Sequence, residues 1–335
     1  MKNFNTIVGI DVSKANVDLA LIRKQNVEQV TTARFANTTS GMKEALKWLK
    51  SQPQQFRPSQ TLFCMEHTGI YCKPVLDFWG VKSNVWVQSA IEIKQSSGLQ
   101  RGKSDKLDAI RIATYALKNQ QNAILWHPTE NSLEQLQTLI TTRNRLLKVR
   151  KMLEVPIQEL QQFNPAAAAT MQAYSAAAIE QLALSLKEIE RQIQALIRQH
   201  ESLNRNYQLS LSVPGVGPVT ACLLLAYTQN FERFESAKQL ACFCGVVPFE
   251  HTSGTSIKGR NRVSHMANKR LKTALHMAAM QAMQGKSDLA LYYQRKAKEG
   301  KNKMSILNAM RNKILHRIFS VVKRGTPYQI TLNAA

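Results

Sequence analysis

The fold of the chain is decided by the stretch Arg101-Gly-Lys-Ser-Asp-Lys-Leu-Asp-Ala-Ile-Arg-Ile-Ala-Thr-Tyr-Ala116, which predicts a helix that begins with two acids. Ser104 suits the N-cap, because a hydroxyl oxygen there can accept a hydrogen bond from a free backbone N–H of the first turn. Asp105 and Asp108 then lie on one face of that turn. Apolar residues at helical spacing predict the buried face, namely Leu107, Ile110, Ala113 and Leu117. The helix therefore offers two carboxylates at the margin of a buried face.

The two acids allow a structural and a functional interpretation. Acids in a first turn complement the helix dipole, and this role is the commoner one for an isolated pair. Here the neighbours are basic, which suits an acidic cluster that works beside an anionic substrate: Arg101, Lys103, Lys106 and Arg111. The functional interpretation requires further acids to converge on the pair.

Two further acids end predicted strands. Thr6–Val12, Val17–Ile22 and Val27–Phe35 are apolar runs joined by short polar turns, which predicts an antiparallel meander with Asp11 near the end of its first strand. Thr61–Glu66 is another apolar run, and it ends in a carboxylate.

Helices are predicted around this later strand. Gly41–Ser51 and Tyr71–Trp79 have helical patterns, and a further strand is predicted at Val81–Val87. This alternation after a meander predicts an α/β sheet of mixed strand direction. Ligands of such sheets collect at the carboxyl ends of the strands.

Four carboxylates should therefore meet: Asp11, Glu66, Asp105 and Asp108. Mg²⁺ and Mn²⁺ prefer such hard oxygen ligands. Two of these ions can stabilise both the attacking and the leaving oxygen of a phosphodiester. The ordered set predicts a metal-dependent site for phosphodiester chemistry.

A competing interpretation uses the same N-terminus. Gly9-Ile-Asp-Val-Ser13 also resembles the first phosphate loop of actin-like kinases and ATPases. Those folds need a second phosphate loop and an adenosine loop downstream, and neither pattern occurs before residue 125. The basic C-terminal half also fits a sugar kinase poorly.

Composition points to a polyanionic partner. The 335 residues include 45 Lys and Arg against 22 Asp and Glu, a formal charge of +23. From residue 201 onward, 20 basic residues stand against 6 acidic ones. Nucleic acid is the expected partner of such an excess.

The cysteines and the apolar runs bear on the compartment. Five cysteines without a C-x-x-C pair argue against a disulfide framework or a zinc site. No apolar run is long enough to predict a membrane span, so we expect a cytoplasmic protein.

From Thr129 onward the pattern becomes helical. Leucines recur every seven residues from Leu139 to Leu160, and a three-four spacing follows from Ile179 to Leu196. Two long helices interrupted near Pro156 and at Asn164-Pro165 are expected. They form either an antiparallel hairpin within one subunit or a dimerising coiled coil.

Two motifs in the C-terminal part suit contact with DNA. Ser212-Val-Pro-Gly-Val-Gly-Pro218 resembles the turn of a helix-hairpin-helix unit, in which Gly215 and Gly217 let the backbone approach phosphate. The alternative is a plain tight turn between helices.

The second motif places Ser253 and Ser256 in a glycine-containing loop beside Lys258, Arg260 and Arg262. These residues either only contact phosphate or include a serine that attacks a phosphodiester. Composition does not choose between the two roles or between the two serines.

The ordered motifs resemble one family. They are Gly-Ile-Asp-Val-Ser-Lys around Asp11, Glu-His-Thr-Gly from Glu66, Lys-Ser-Asp-Lys-Leu-Asp-Ala around Asp105, Pro-Gly-Val-Gly from Pro214, and Ser-Gly-Thr-Ser from Ser253. This set is similar to that of the DEDD-type transposases of bacterial insertion sequences of family one-ten, which pilin-gene invertases also resemble. The resemblance spans nearly the whole chain.

The resemblance implies three parts. They are an RNase H-like, RuvC-like catalytic domain over residues 1–125, a helical coiled-coil linker over 126–204, and a mainly α transposase domain with the helix-hairpin-helix over 205–335. It implies that Asp11, Glu66, Asp105 and Asp108 bind Mg²⁺, or Mn²⁺, and that Ser253 forms a phosphoserine link to DNA. The implied partners are DNA at the element ends and target, a guide RNA encoded by the element, and further copies of the chain in a dimer or tetramer.

The sequence thus favours a Mg²⁺-dependent DNA recombinase of an insertion sequence. The alternatives are a RuvC-like hydrolytic nuclease, in which Ser253 only holds DNA, and an inactive DNA-binding relative. One departure from the family pattern is Ala267, where a glycine is usual. If that glycine needs positive φ, alanine would strain the turn.

Overall fold

The computed structural model of the chain describes residues 3–53, 55–96, 98, 102, 104–253, 257–285 and 287–329. The chain divides into two compact units, Met1–Pro128 and Thr129–Ala335. The three-part division at residues 125 and 204 stays a prediction. Among the described residues, no helix combines the length and the apolar character that crossing a membrane requires.

The N-terminal unit is built on a five-stranded mixed sheet. Its strands are β1 (Thr6–Val12), β2 (Asn16–Arg23), β3 (Asn26–Ala36), β4 (Thr61–Glu66) and β5 (Asn84–Gln88). They lie in the order β3-β2-β1-β4-β5, in which β2 is antiparallel to both β1 and β3, and β4 is parallel to both β1 and β5. The predicted meander and the mixed strand direction are confirmed.

Helices cover both faces of this sheet. They are α1 (Thr39–Lys50), α2 (Lys73–Trp79), α3 (Ala90–Ser96) and α4 (Asp105–Asn119). One face packs against α1 and α2 through residues such as Met42 and Val75, and the other packs against α4 through Ile112. The strand predicted at Val81 begins later, because backbone N–H groups of residues 82 and 83 bond to Trp79 and close the turn after α2.

Alternation along the strands decides which side chains face α4. In β1, Val8, Ile10 and Val12 belong to the core shared with α1 and α2. Ile7 belongs to the core shared with α4, so the alternate positions Gly9 and Asp11 share its face. The acid near the end of β1 therefore lies on the side of the sheet that α4 covers.

The predicted buried face of α4 is confirmed in part: Ala113 is buried, Ile110 and Leu117 are partly buried against the same core, and only Leu107 is wrong. The buried residues of this helix are Ala109, Ile112, Ala113, Tyr115 and Ala116, whereas Leu107 is exposed. The cause is close packing on β1: a Cβ atom added to Gly9 would lie 2.3 Å from the Ala109 carbonyl oxygen. At such a distance only small residues fit the contact, so the large apolar residues do not mark it.

The second unit begins with a helical hairpin. Helices α5 (Asn131–Phe163) and α6 (Pro165–Gln199) pack against each other, and Arg143 forms an ion pair with Glu190 at 2.6 Å across the hairpin. The expected interruption at Pro156 is wrong, because α5 continues through it and breaks only at Asn164. Proline removes one helical donor, and burial of the adjacent Ile157 against the hairpin offsets that loss.

The rest of this unit is mainly α, as predicted. Its elements are α7 (Glu201–Leu211), α8 (Pro218–Tyr227), α9 (Ala237–Phe243), β6 (Pro248–Ser253), β7 (Ile257–Val263), α10 (Lys269–Gln284), α11 (Asp288–Lys298) and α12 (Lys303–Arg324). A single core joins these helices to the base of the hairpin, with fully buried residues such as Leu224, Leu275 and Ile314.

Candidate active site

A row of charged residues crosses four strands of the N-terminal sheet. Asp11 in β1 pairs in register with Asp18 in β2, and Asp18 pairs with Arg34 in β3. On the other side of β1, the last parallel pair with β4 is Ile10 with Met65, so Glu66 comes one residue further, beside Asp11. Directly opposed residues share a face of a sheet. Four strands thus bring three carboxylates and one guanidinium together under α4.

The acids that open α4 lie close to this row. Ser104 caps the helix as predicted, with its hydroxyl accepting a hydrogen bond from the Leu107 N–H at 3.3 Å. Asp105 and Asp108 stand in the first turn. Because Gly9 lets α4 approach β1 closely, this turn comes over the carboxyl end of the strand that bears Asp11.

The electrostatics of Asp11 report how near the acids are. Burial, as the largest cause, and then the negative charges of Asp108, Asp105, Asp18 and Glu66 together raise the pKa of this carboxyl from 3.8 to about 6. The four acids predicted from the sequence therefore share one electrostatic neighbourhood, and Asp18 joins them as a fifth.

Arginines hold three of these carboxylates. Arg34 donates from Nε to both oxygens of Asp18 at 3.0 and 3.1 Å, and from Nη2 to Asp105 Oδ2 at 2.6 Å. Arg111 donates from Nη1 to Asp108 Oδ1 at 2.7 Å and also bonds to the carbonyl of Gly102. The acids of α4 are thus engaged by guanidinium groups rather than turned toward one another.

The donor chemistry fits a hard divalent cation, while the side-chain arrangement is not that of a closed metal site. Within the described ranges, no group of three or more His, Cys, Asp or Glu side chains is placed so that it could hold a metal ion. Carboxylates are nevertheless the donors that Mg²⁺ and Mn²⁺ prefer, and a cation would offset both the burial and the acidic neighbours that raise the pKa of Asp11. A metal would be held by Asp11, Glu66, Asp105 and Asp108 once the last two leave their arginines.

Asn37 fixes the two loops that follow the acid-bearing strands. Its side-chain amide donates to the carbonyl of Ser13, two residues after Asp11, at 2.9 Å, and to the carbonyl of Tyr71 at 3.0 Å. Tyr71 belongs to a short 3-10 helix, Gly69–Cys72, which follows Glu66. Asn37 is buried, so these bonds are shielded from water. One side chain therefore ties together the loops behind Asp11 and Glu66.

Cys72 stabilises the turn directly after Glu66. Its sulfur accepts a hydrogen bond from the Thr68 N–H at 3.2 Å and lies 3.5 Å from the carbonyl oxygen of Glu66. The direction in which the chain leaves β4 is thereby fixed, and with it the position of the Glu66 backbone.

Sequence reasoning missed Asp18 and Arg34. Both lie in apolar or neutral strands with ordinary strand patterns, and nothing in the sequence gives the register that pairs them. The one available signal was a charge at an inward position of β2, between the buried residues Val17 and Leu19. A charge there predicts a paired or functional group.

The segment that bears Ser253 is a β-hairpin rather than the loop expected from the sequence. Ser253 is the last residue of β6, and its backbone pairs with Ile257 at the start of β7. Its side chain and those of Lys258 and Arg260 lie outside what the structure describes, as does all of Ser256. Arg262 is exposed and pairs in register with the exposed Phe249. The sequence shows no clear alternation here, so the strands were not predicted.

The two glycines of the predicted helix-hairpin-helix differ in role. Gly215 has φ +87°, and a Cβ atom there would lie 2.3 Å from the carbonyl oxygen of Ala278 in α10. Packing inside the unit therefore accounts for this glycine without phosphate. Gly217 is the N-cap of α8 and has open space around its Cα, so a phosphate contact at this residue stays a prediction.

Ala267 introduces no backbone strain. Positive φ at non-glycine residues of the described chain occurs at Gln229, Asn230 and Phe231, and Ala267 is not among them. Its methyl group packs over Gly245, where an added Cβ would lie 2.3 Å away. The strained turn considered from the sequence is therefore absent at this position.

Two family models match the chain. Residues 8–165 match the model for DEDD transposases of the IS110 type, described as a transposase. Residues 207–294 match the model described as the transposase IS116/IS110/IS902 family. The first range contains all four predicted acids, and the second contains Ser253 and both glycines.

Individual proteins are similar over different lengths. A pilin gene-inverting protein of Moraxella bovis is 28% identical over 333 residues, which cover 96% of this chain and 97% of that protein. The protein of the same name from Moraxella lacunata has the same identity and coverage. An uncharacterized 43.6 kDa protein of the insertion element IS110 from Streptomyces coelicolor is 31% identical over 159 residues, 47% of this chain and 39% of that protein.

Proposed function

Because the chain belongs to the IS110/IS116/IS902 family of transposases, we propose that it cuts and rejoins DNA strands with its acid cluster and Ser253. The observation that carries this proposal is the row of Asp11 and Glu66 beside the two acids of α4. Burial and the negative charges of these acids raise the pKa of Asp11, so the ionised cluster destabilises the metal-free protein and supports a functional role.

The N-terminal unit supports an RNase H-like catalytic domain. A meander of three antiparallel strands followed by two parallel strands, in the order β3-β2-β1-β4-β5, agrees with that fold. The acids stand at the carboxyl ends of β1 and β4, where ligands of α/β sheets bind. The acids therefore lie at the edge of the sheet where this kind of fold binds its ligands.

The proposed chemistry is transfer of a phosphoryl group to Ser253 and back. The serine Oγ attacks phosphorus and loses its proton to a base or to water, while the bond from phosphorus to the leaving strand's oxygen breaks and that oxygen takes up a proton. One phosphoester replaces another, so rejoining by a strand hydroxyl needs no ATP. In the reverse step, a hydroxyl at a strand end attacks the phosphorus of the phosphoserine, and the serine leaves as its hydroxyl.

The acids' part is to position the phosphate. Asp11, Glu66, Asp105 and Asp108 would hold Mg²⁺ or Mn²⁺, which when bound stabilises the negative charge that develops on phosphate oxygens. Asn37 keeps the loops behind Asp11 and Glu66 in place, and Ser104 keeps the first turn of α4 regular. These contacts limit the rearrangement that substrate binding requires.

DNA is the proposed substrate, and the basic surface supports it. The formal charge of +23 favours backbone contacts that do not depend on sequence, with Gly217, Arg262 and their neighbours as candidates. The family resemblance also suggests a guide RNA. A homo-oligomer is suggested by exposed apolar residues on the α5–α6 hairpin, such as Met152, Phe163 and Tyr174.

The test is a search for a covalent adduct. The full chain is expressed with DNA that carries the ends of its element, lysed in denaturant, and examined for DNA that stays attached to protein. Wild type and Ser256→Ala should carry the adduct, while Ser253→Ala and Asp105→Asn should not. Ser256, three residues after Ser253 in the sequence, is the matched control.

Each other outcome is informative. An adduct that Ser253→Ala retains and Ser256→Ala loses would reassign the nucleophile. Nicked DNA without any adduct would point to a hydrolytic nuclease. DNA bound but never cut, with co-purified RNA present, would identify an inactive binding protein.

A further inference from the structure

Arg34 has an unusual position at the edge of the acid cluster. It lies in β3, two strands from Asp11, and its guanidinium bonds to Asp18 and to Asp105 at the same time. Neither Arg34 nor Asp18 takes part in the proposed reaction. Their contacts nevertheless connect the sheet directly to one of the proposed metal ligands.

Asp18 determines where this guanidinium points. Asp18 is only 7% exposed, and both of its oxygens accept hydrogen bonds from Arg34 Nε at 3.0 and 3.1 Å. The guanidinium is rigid and planar, so a fixed Nε also fixes Nη2. Asp105, by contrast, has a side chain that is 55% exposed, and its described partner is that Nη2.

Arg34 therefore holds a proposed ligand whose side chain is largely exposed to water. We propose that Arg34, anchored by Asp18, competes with a divalent cation for Asp105 and so keeps the acid cluster in a metal-free resting arrangement. This inference rests on the proposed function, because it assumes that Asp105 is a metal ligand. When the cation binds, the guanidinium exchanges Asp105 for water or for a substrate phosphate.

The competition follows from the positive charges of the Arg34 guanidinium and of the divalent cation. Arg34 Nη2 and a divalent ion would both use the carboxylate of Asp105, and the guanidinium keeps its charge at neutral pH. A positive charge at that distance also repels a second cation. Loss of the arginine should therefore strengthen metal binding, although it removes two hydrogen-bonded contacts.

Asp18 should have the opposite effect. Its carboxylate adds negative charge opposite Asp11 and draws the guanidinium toward the sheet. If Asp18 loses its charge, the cluster attracts a cation less, and Arg34 is left with Asp105 as its acidic partner. Loss of the aspartate charge should therefore weaken metal binding.

Two simpler roles make different predictions. If Arg34 and Asp18 form only a cross-strand ion pair, removal of either should lower stability and leave metal affinity unchanged. If Arg34 holds Asp105 in place for the metal, removal of either partner should weaken binding. Of these roles, only competition gives changes of opposite sign, and the tighter binding expected of Arg34→Lys, which keeps the charge, distinguishes competition from simple charge repulsion.

The experiment measures Mn²⁺ affinity of the full chain without DNA, by titration calorimetry or by the electron paramagnetic resonance signal of free Mn²⁺. Arg34→Gln should bind Mn²⁺ roughly three- to tenfold more tightly than wild type, and Asp18→Asn more weakly by a similar factor. The Mn²⁺ affinity of Arg34→Lys should lie between those of wild type and Arg34→Gln. The lysine ammonium keeps the positive charge but lacks the planar set of N–H donors with which the guanidinium bonds to Asp18 and Asp105 together. Both differences should shrink as salt is added.

The matched control is Arg57→Gln, which removes the same charge far from the acids. Arg57 precedes β4, whereas Glu66 ends that strand, and the guanidinium of Arg57 bonds to Gln55. It should bind Mn²⁺ as wild type does. Circular dichroism before each titration shows whether a variant is folded. If Arg34→Gln does not fold, the decrease in Asp18→Asn and the intermediate value of Arg34→Lys still carry the test.

The outcomes separate this inference from the proposed function. Asp11→Asn serves as the reference that removes binding at the cluster. If Asp11→Asn binds Mn²⁺ as wild type does, the metal site itself is refuted, and the competition with it. If Asp11→Asn loses binding while Arg34→Gln and Asp18→Asn change in the same direction or not at all, the metal site stands and the competition is refuted.

Discussion

At the scale of single residues, Asp11 is placed where its charge costs stability. Its carboxyl keeps a proton up to about pH 6 in the folded protein, whereas 3.8 is its ordinary value. Between these values the folded chain binds more protons than the unfolded one. The free energy of unfolding therefore falls as pH rises through this window and stays lower above it.

Asp11→Asn should consequently stabilise the metal-free protein. In EDTA at pH 7 we expect a gain of about 1 to 2 kcal/mol, after allowance for the partial exposure of this carboxyl. The gain should disappear near pH 4, and thermal unfolding at both pH values measures it. Asp77→Asn, which breaks an exposed ion pair with Lys73, is the control and should not stabilise. A less stable Asp11→Asn at pH 7 would contradict the crowding of charges around this residue.

Asn37 gives a second prediction about one residue. Asn37→Ala removes two buried hydrogen bonds and should lower the free energy of unfolding by about 1 to 3 kcal/mol. Because the loops behind Asp11 and Glu66 are then untied, Mn²⁺ should also bind more weakly.

Asn84 provides the matched control for this change. Its amide bonds in the same way to three carbonyls at the other end of β4, those of Pro58, Ser59 and Thr61. Asn84→Ala should lower stability to a similar extent and leave Mn²⁺ affinity unchanged. Equal losses of affinity in both variants would show that Asn37 has no specific role at the site.

At the scale of secondary-structure elements, the contact between α4 and β1 brings the acids together. Gly9→Ala would place a methyl group 2.3 Å from the Ala109 carbonyl oxygen and 2.4 Å from the Ala113 nitrogen. The helix must move away, at a cost of about 2 to 3 kcal/mol.

The same displacement should carry Asp105 and Asp108 away from Asp11. We therefore expect Gly9→Ala to lower the melting temperature and to bind Mn²⁺ more weakly, both on the full chain. Gly217→Ala is the control, since its Cβ meets nothing within 4 Å. If Gly9→Ala unfolds as wild type does, the close packing of α4 on the sheet is wrong.

The strands and most helices could be predicted because each has its own local pattern. The apolar run in Thr6–Val12 and the apolar run that ends in Glu66 predict β1 and β4 with their bounds. The centre of the buried face of α4 could be predicted only in part, because close contact with Gly9 selects alanines there, and the predicted Ile110 and Leu117 lie partly buried at its margin. The hairpin of β6 and β7 was missed because its basic, polar strands do not alternate.

The candidate site was predicted in part for the same reason. Asp11, Glu66, Asp105 and Asp108 each lie at or near the end of an element, and such positions can be recognised in a sequence. Asp18 and Arg34 lie inside β2 and β3 and join the site only through register. Register depends on pairing with distant strands, which a single sequence does not contain.

At the scale of the whole molecule, charge should dominate the first contact with DNA. The formal charge of +23 predicts binding that weakens steeply with salt, with a loss of roughly a thousandfold or more between 50 and 200 mM if six or more phosphates are contacted. Fluorescence anisotropy with unrelated duplex DNA measures this dependence. Affinity that hardly changes with salt would show that the basic surface does not bind the DNA backbone.

The central claim is that the carboxylates around Asp11 are a catalytic centre for DNA cleavage and not a structural cluster. The most direct measurement is cleavage of the element's DNA ends in Mg²⁺ by wild type and by Asp11→Asn, at DNA concentrations that saturate both proteins. The account predicts that Asp11→Asn binds DNA as wild type does and is the more stable protein, yet cleaves at least about a hundredfold more slowly. Cleavage within twofold of wild type would contradict the claim.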